Sequence, residues 1–245
     1  MTLVLVGGWL VPPAPAQAEK ALDREAVERI IREYLLKNPE IMVEVQQALE
    51  AKQKAERDAQ IAATLNQRRD TIFNSANQGV IGPKDAPITI VEFFDYNCSF
   101  CQRAMEDMNV LLGNEKDVKF VLKELPILGP ESVEASRIST AVYRAYPDKY
   151  GEFHNKLLGL EGIKNGERAL AIARDMGLDT KKLEEIGARG DVLDAFREAN
   201  ALATSLGING TPSYVLADEV VFGALGHAVL AEKLTAVRKC GKTSC

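Results

Sequence analysis

The feature that most constrains this chain is a Cys-x-x-Cys motif that lies between an apolar run and an amphipathic segment. Cys98 and Cys101 directly follow the run 88–95, whose composition is that of a buried strand. They precede residues 102–112, in which apolar residues recur at helical spacing. Much later, a Thr-Pro pair at 211–212 leads into a second strand-like run. This order of elements predicts an α/β fold that carries a redox-active pair of cysteines.

The two cysteines of the motif are suited to thiol–disulfide exchange. This chemistry needs one accessible thiolate and a second thiol that resolves the mixed disulfide. Cys98 is predicted to be the nucleophile, because backbone N–H groups and the dipole at a helix start favour an anion. Cys101, one turn further on, is predicted to resolve. A zinc site is the alternative, but it needs two more ligands. We therefore expect neither a metal nor another cofactor.

Glu92 is the second candidate for a catalytic role. It lies within the apolar sequence Ile-Val-Glu-Phe-Phe at 90–94. A carboxyl group there is costly unless it is hydrogen-bonded or protonated, and burial raises its pKa. The resolving step requires a proton acceptor near Cys101. The alternative is an ordinary glutamate that faces water at a sheet edge; we predict that Glu92 is the acceptor.

The remaining cysteines and the two histidines are assigned lesser roles. Cys240 and Cys245 close a short loop in the tail, which predicts a local structural disulfide. An intermolecular link, a relay to Cys98 and a metal clip are the alternatives. His154 and His227 stand apart from the cysteines, and we expect both to be surface or partly packed residues without a role.

The N-terminal residues predict export. A short apolar stretch at 3–11 precedes Ala-Pro-Ala-Gln-Ala at 14–18, with small residues at the −3 and −1 positions of a cut after Ala18. No Lys or Arg lies at 1–3, where such segments usually carry positive charge. An uncleaved, disordered N-terminus is the alternative. We predict a signal peptide over 1–18 and a compartment in which disulfides persist.

Residues 19–78 are predicted to form a helical extension. Asp23 is expected to cap a first helix with an apolar face, and Asn38 to cap a second that starts at Pro39. Strong helix formers continue without Gly or Pro to about residue 77, which gives a helix about 55 Å long. It has too few large apolar residues to form a core alone. Homo-oligomerisation through 23–75 is expected, and packing onto the same chain's domain is the alternative.

The catalytic domain is predicted over 79–245, after a Gly- and Pro-rich boundary. A helical block of about 75 residues, at about 130–206, is inserted between the two halves of a small α/β unit. The predicted strands are 88–94, 118–122, 213–216 and 220–222, and the flanking helices are 102–112 and 228–239.

These motifs together resemble the DsbA family of thioredoxin-fold thiol–disulfide oxidoreductases. The residues that carry the resemblance are Phe-Phe-Asp-Tyr-Asn-Cys-x-x-Cys at 93–101, the helical block and Gly-Thr-Pro at 210–212. Lys-Glu-Leu-Pro-Ile at 123–127 and Tyr-Leu-Leu-Lys-Asn-Pro-Glu at 34–40 are similar to the branch that contains ScsC and Com1-type outer-membrane-associated proteins. The resemblance implies a thioredoxin fold with an inserted helical domain, preceded by a long N-terminal helical extension.

The resemblance also implies roles for individual residues. Cys98 matches the family nucleophile, Cys101 the resolving cysteine and Glu92 the buried acid. Thr211 and Pro212 match the cis-proline loop, which lies against the active-site disulfide and binds a substrate backbone. Members with such an extension are similar to trimeric disulfide isomerases, whereas compact members are monomeric oxidases.

Two departures from the family pattern bear on these roles. Ser-Phe at 99–100 lacks the histidine of strongly oxidising members. The tail pair of Cys240 and Cys245 lies outside the family's basic motif, so no role is transferred to it.

We therefore expect an exported protein thiol–disulfide oxidoreductase that forms, reduces or isomerises disulfides in other proteins. Isomerase or reductase activity is favoured over a dithiol oxidase, because several sites in one assembly help to shuffle wrong disulfides. The expected partners are cysteine-containing exported proteins and a membrane redox partner that resets the site. The expected location is the periplasm of a Gram-negative bacterium, with an association with the outer membrane.

A copper-binding or structural thiol protein, which uses its thiols as soft ligands, is the rival from another class. The net charge of −5 argues against nucleic acid as the main partner, because phosphate binding needs concentrated positive charge.

Overall fold

The computed structural model describes residues 23–245, so the predicted signal peptide over 1–18 lies outside the described residues. The described chain divides into two compact units, 23–53 and 54–245. The division thus falls between residues 53 and 54 rather than at 78/79. The reason is that Leu65, Ile72 and Phe73 are buried in the same apolar cluster as residues of the sheet.

The first unit contains helix α1 (Arg24–Lys37) and the start of helix α2 (Glu40–Gln67). The Asp23 carboxylate accepts the N–H of Ala26 at 2.7 Å, so the predicted N-cap is confirmed. Asn38 acts differently from the prediction: its side-chain amide donates to the Tyr34 carbonyl at 2.8 Å and closes the end of α1. No residue of α1 is buried. Its exposed large apolar residues are Val27, Ile30, Ile31, Tyr34 and Leu36.

Helix α2 is shorter than the sequence predicts. It ends at Gln67 and spans 28 residues, or about 42 Å, instead of about 55 Å. Arg68 leaves the helical conformation at φ −113° and ψ 22°, and helix α3 (Arg69–Phe73) follows. The break turns Ile72 and Phe73 onto the sheet, where both are buried. Within 23–245, no helix is both long enough and apolar enough to cross a membrane.

A five-stranded sheet of order β1-β3-β2-β4-β5 forms the centre of the second unit. Strands β2 and β3 are parallel, with Ile90 opposite Phe120, and the other pairs are antiparallel. The three-residue strand β1 was not predicted, because it lies in the Gly- and Pro-rich boundary. The strands are β1 (Gly79–Ile81), β2 (Ile88–Phe94), β3 (Val118–Glu124), β4 (Ser213–Leu216) and β5 (Glu219–Phe222).

Helices cover both faces of the sheet. Helix α4 (Ser99–Asn114) packs Ala104 and Met108 into the larger apolar cluster, which α10 (His227–Cys240) also joins. The block over 130–205 is helical, as predicted. Its last helix covers the opposite face of the sheet together with α3. The helices of the block are α5 (Pro130–Ala145), α6 (Tyr150–Leu158), α7 (Gly166–Asp175), α8 (Thr180–Gly187) and α9 (Gly190–Ser205).

The surface position expected for His154 is wrong. Its side chain is 1% exposed and lies on the inner face of α6, with its ring centroid 4.9 Å from that of Phe94. Its Nδ1 lies 3.2 Å from the Tyr96 hydroxyl, which also contacts the Ser139 hydroxyl at 2.7 Å. Burial lowers the pKa of His154 to about 3, so the imidazole is neutral. His227 is exposed, as expected.

Candidate active site

The two cysteines of the motif lie at the start of α4, directly after β2. Cys98 is the N-cap residue of the helix, in an extended conformation, and its carbonyl accepts the N–H of Cys101 at 3.1 Å. Cys98 is 6% exposed and Cys101 is fully buried. Both are free thiols, so the structure presents the reduced form of the site.

The surroundings of the two thiols drive their pKa values apart. The pKa of Cys98 is lowered to about 5, mainly by a hydrogen bond from Cys101. Burial of Cys98 opposes this change. Hydrogen bonds from the Thr211 side chain and from backbone N–H groups lower the pKa further. Burial, the bond to Cys98 and the charge of Glu92 raise the pKa of Cys101 far above its usual range. At neutral pH, Cys98 is therefore a thiolate and Cys101 a thiol.

The predicted cis-proline loop lies against Cys98. The Thr211–Pro212 peptide bond is cis. The Cys98 sulfur lies 3.1 Å from the Thr211 carbonyl oxygen, although the two residues are 113 positions apart. The loop is tied to the neighbouring strand, because the N–H of Gly223 donates to the Pro212 carbonyl at 2.9 Å.

Glu92 lies in β2 opposite Tyr214 of β4 and is 2% exposed. Burial, followed by the negative charges of Cys98 and Asp107, raises the pKa of the Glu92 carboxyl to about 8. The charge of Glu92 also raises the pKa of Cys101, after burial and the hydrogen bond to Cys98. The carboxyl can hold or release a proton near neutral pH, as a proton-transfer group must.

Asp95 is a site residue that the sequence reasoning missed. It is 1% exposed, and one carboxylate oxygen accepts the N–H groups of Ile127 and Leu128 at 2.9 and 3.0 Å. The other accepts the N–H of Asn97 at 2.8 Å. Asp95 therefore fixes the loop after β3 beside the cysteine loop. In the sequence, a role for Asp95 in the site is indicated only by its position within the motif at 93–101.

Asn97, directly before Cys98, was also missed. Its side-chain oxygen accepts the N–H of Lys164 at 2.7 Å, and its amide donates to the Lys164 carbonyl at 2.9 Å and to Ser132 at 3.0 Å. The loop before α7 is thereby tied to the residue that precedes Cys98.

Apolar side chains surround the cysteine loop. Four of them are about half exposed or more: Phe100, Ile127, Leu128 and Ile163. A cavity of about 240 Å³ beside them is lined by Asn97, Leu128, Glu131, Gly162 and Ile163. This surface offers an apolar platform next to the reactive sulfur.

The tail cysteines lie in a separate group. Cys240 and Cys245 are joined by a disulfide, and Asp218 accepts the N–H of Thr243 within the enclosed loop at 2.9 Å. Within residues 23–245, no three His, Cys, Asp or Glu side chains cluster in a way that could hold a metal ion.

Comparison with known proteins identifies the family. The family described as DSBA-like thioredoxin domain matches residues 89–235, which include both cysteines, Glu92 and the cis-proline. The chain belongs to the DSBA-like thioredoxin domain family. The N-terminal domain of the copper resistance protein ScsC matches residues 23–56, so the resemblance to that branch is confirmed.

Two solved structures place this DSBA-like chain among thiol oxidoreductases. A thioredoxin-like oxidoreductase from Silicibacter pomeroyi is 39% identical, with a TM-score of 0.67 over 70% of this chain and 98% of that one. Proteus mirabilis ScsC in a compact conformation is 30% identical, with a TM-score of 0.63 over 82% and 98% of the two chains.

The curated relatives match over smaller shares of their length. Disulfide bond formation protein D of Bacillus subtilis is 27% identical over 59% of this DSBA-like chain and 69% of its own length. The Na⁺/H⁺ antiporter NhaA 1 of Salinispora arenicola is 26% identical over 64% of this chain. The chain spans only 24% of that antiporter's length.

Proposed function

We propose that this protein is an exported thiol–disulfide oxidoreductase that acts on cysteines of other proteins. One observation carries the proposal: the thiol of Cys98, whose pKa is lowered to about 5, lies 3.1 Å from the Thr211 carbonyl and in front of a buried, protonated Cys101. A reactive thiolate beside a resolving thiol and the backbone of a neighbouring loop is the arrangement that disulfide exchange with a polypeptide requires.

The first step is nucleophilic exchange. The Cys98 thiolate attacks one sulfur of a substrate disulfide, so that a Cys98–substrate disulfide forms and the substrate S–S bond breaks. The departing sulfur leaves with the bonding electron pair and takes a proton from solvent. We propose that Thr211 and Pro212 hold the substrate backbone during this step, because their loop lies against the sulfur.

The mixed disulfide can react further in two ways. In reduction, Cys101 loses its proton and attacks the Cys98 sulfur, which releases the substrate thiolate and passes two electrons to the substrate. In isomerisation, a second substrate thiolate attacks the substrate sulfur and returns Cys98 as a thiolate, without net electron transfer. Oxidation of a substrate is the reverse of reduction, starting from the Cys98–Cys101 disulfide.

Glu92 is the proposed acceptor of the Cys101 proton. The charge of the Cys98 thiolate contributes to the raised pKa of this carboxyl. That charge disappears when Cys98 enters the mixed disulfide, so the pKa of Glu92 falls and the carboxylate becomes available. The base is thus generated at the step that needs it.

We propose that isomerase or reductase activity predominates and that the protein is a homo-oligomer, a trimer by the ScsC resemblance. Ile30, Ile31 and Tyr34 of α1 are each more than half exposed, which is unfavourable unless a second copy covers them. The proposed partners are cysteine-containing exported proteins and a membrane redox protein that resets the site with two electrons.

The proposed location is the periplasm of a Gram-negative bacterium. The disulfide between Cys240 and Cys245 supports it, because such bonds persist in oxidising compartments. The apolar stretch at 3–11 and the small residues at 14–18 support cleavage after Ala18 and export.

The proposal is tested by measuring whether the protein restores the activity of a test enzyme whose several disulfides have been wrongly paired. The mature chain from Glu19 is compared with Ile30→Asp/Ile31→Asp, with Arg29→Asp as the matched control, because Arg29 lies on the opposite side of α1 from that pair. Removal of residues 23–78 would also uncover the sheet face beneath Ile72, so substitution is the sharper test. Cys98→Ser serves as the blank.

We expect the wild type and Arg29→Asp to restore the activity of the test enzyme and to sediment as oligomers. The double variant should be monomeric and should lose the recovery, while it still oxidises or reduces a simple peptide. No recovery by the wild type, with rapid oxidation of a reduced peptide, would show an oxidase. A monomeric wild type would refute the oligomer.

A further inference from the structure

The cavity of about 240 Å³ beside the cysteine loop has a mixed lining. Leu128 and Ile163 form apolar walls, and both residues are more than half exposed. Glu131 is the charged residue of the lining, and Asn97 contributes a polar side chain. Because Asn97 is peptide-bonded to Cys98, a substrate cysteine joined to Cys98 would bring its neighbouring residues close to this cavity.

Hydrogen bonds fix both apolar walls to the cysteine loop. The Asp95 carboxylate accepts the N–H of Leu128 at 3.0 Å. The Asn97 side-chain oxygen accepts the N–H of Lys164, the residue after Ile163, at 2.7 Å. The walls are therefore in place before a substrate arrives, so binding there costs less conformational freedom.

The Glu131 carboxylate forms neither a hydrogen bond nor an ion pair within residues 23–245. A Cβ atom on Gly129 would lie 3.1 Å from its Oε2, so the carboxylate lies over the residue that follows Leu128. Glu131 belongs to the first turn of α5, where the helix dipole favours an anion. The dipole accounts for a carboxylate at this position, but not for the apolar walls beside it.

The lining favours one class of side chain. A volume of about 240 Å³ suits one long side chain, since pockets for drug-sized ligands span about 300–1,000 Å³. Lysine and arginine bury an apolar stem while their charged head reaches a polar partner. Their stems match Leu128 and Ile163, and their charge matches Glu131. An aliphatic side chain would match the walls alone, and an acidic side chain would be repelled.

We propose that this cavity is a subsite for a lysine or arginine side chain of the substrate, and that Glu131 selects the positive charge. The side chain would come from within about two residues of the reactive cysteine, a reach of about 7 Å. The subsite rests on the proposed function, since the substrate must be held at Cys98. It makes the helical insertion part of substrate recognition, because Glu131 and Ile163 both belong to the insertion.

Two cations of the insertion belong to the surroundings of the cavity but not to its lining. The Arg168 guanidinium donates to the carbonyls of Glu161 and Ile163, both at 2.7 Å, and is thereby bonded to the main chain. Lys164 is 5% exposed. Their charges oppose that of Glu131, and the walls are open to water, so we expect a preference for a cation of about threefold to fivefold.

The test measures the second-order rate constant for the reduction of disulfide-bonded peptides by the full reduced chain. Each peptide carries lysine, norleucine or glutamate at one of the two positions on either side of its cysteine. At one of these positions, the wild type should reduce the lysine peptide about threefold to fivefold faster than the norleucine peptide, and the glutamate peptide most slowly. Salt at about 1 M, where the Debye length is about 3 Å, should remove most of the preference.

Substitutions separate the charge from the walls. Glu131→Gln should abolish the preference for lysine and leave the norleucine peptide unchanged, whereas Glu106→Gln, at an exposed position of α4, should keep the preference. Ile163→Ser should slow the lysine and norleucine peptides alike, by about threefold, because both stems lose the same apolar contact. Equal rates for lysine and norleucine at every position, or an unchanged preference in folded Glu131→Gln, would overturn the subsite.

A binding measurement distinguishes failure of the subsite from failure of the proposed function. Serine analogues of the peptides cannot exchange disulfides, and their binding is followed by the NMR signals of the Ile163 methyl groups in the full chain. Tighter binding of the lysine analogue, together with no reduction of any peptide, would refute the function alone. Rapid reduction of all peptides without a preference for lysine would refute the subsite alone.

Discussion

The sulfur of Cys98 lies 3.1 Å from the carbonyl oxygen of Thr211, the residue that precedes the cis-proline. This contact joins the start of α4 to the segment that enters β4, on either side of the helical insertion. Cys98 and the loop that we propose to bind a substrate backbone therefore lie next to each other.

The two thiols should react with alkylating agents at very different rates. Because the pKa of Cys98 is lowered to about 5 and that of buried Cys101 is raised, iodoacetamide should modify Cys98 selectively. The rate should be half-maximal near pH 5, as read by mass spectrometry of the reduced protein. In denaturant, both cysteines should react with an ordinary midpoint near pH 8.5. Equal rates for both thiols in the folded protein would contradict the arrangement.

Glu92→Gln should slow the resolving step. The variant cannot accept the Cys101 proton, so release of a trapped substrate from the mixed disulfide should be at least tenfold slower at pH 7. Attack by Cys98 should stay rapid, because its thiolate does not depend on the carboxyl. Glu106→Gln, at an exposed position of the same helix as Cys101, is the matched control. Unchanged release would remove Glu92 from the mechanism.

Glu92→Gln should also change how stability depends on pH. The fold raises the pKa of this carboxyl from 4.5 to about 8, so the folded state holds a proton that the unfolded chain loses. This contribution is fully present below pH 4.5 and is lost as the pH rises toward 8. Urea unfolding should therefore show the variant more stable than the wild type at pH 8, by about 4 kcal/mol at most. A parallel pH dependence of the two proteins would disprove it.

Asp95→Ala should destabilise the fold. The buried carboxylate accepts three backbone N–H groups, from Asn97, Ile127 and Leu128. Their loss leaves donors unpaired at the start of the site and should cost about 2–4 kcal/mol in the free energy of unfolding. Asp95→Asn, which keeps the shape and part of the acceptor capacity, should cost less. Equal stability of Asp95→Ala and the wild type would show that these bonds contribute nothing.

Local patterns predicted the elements that carry the chemistry. Strand β2 is the predicted Ile88–Phe94, because a continuous apolar run of that length has one favourable environment, the middle of a sheet. The helix after Cys98 was predicted from apolar spacing, and it extends only a few residues further. The same strand pattern predicts a core-facing position for Glu92, and the residue is buried.

Other features depend on contacts that no local pattern encodes. The end of α2 at Gln67 is set by the burial of Ile72 and Phe73 rather than by a Gly or Pro. His154 is buried because α6 turns that face inward, and a single histidine in an amphipathic helix does not reveal this. The hydrogen bonds between Asn97 and Lys164 join residues 67 positions apart, so only the folded chain shows them.

We propose that Cys98 attacks substrate disulfides and that Cys101 resolves the mixed disulfide that forms. These roles can be tested by the reaction of reduced Cys101→Ser with a disulfide-bonded peptide, followed by mass spectrometry of the adduct. We expect a stable mixed disulfide at Cys98 in Cys101→Ser, rapid peptide reduction by the wild type and no adduct with Cys98→Ser. A peptide adduct at Cys101 of Cys98→Ser, or no adduct with Cys101→Ser, would contradict these roles.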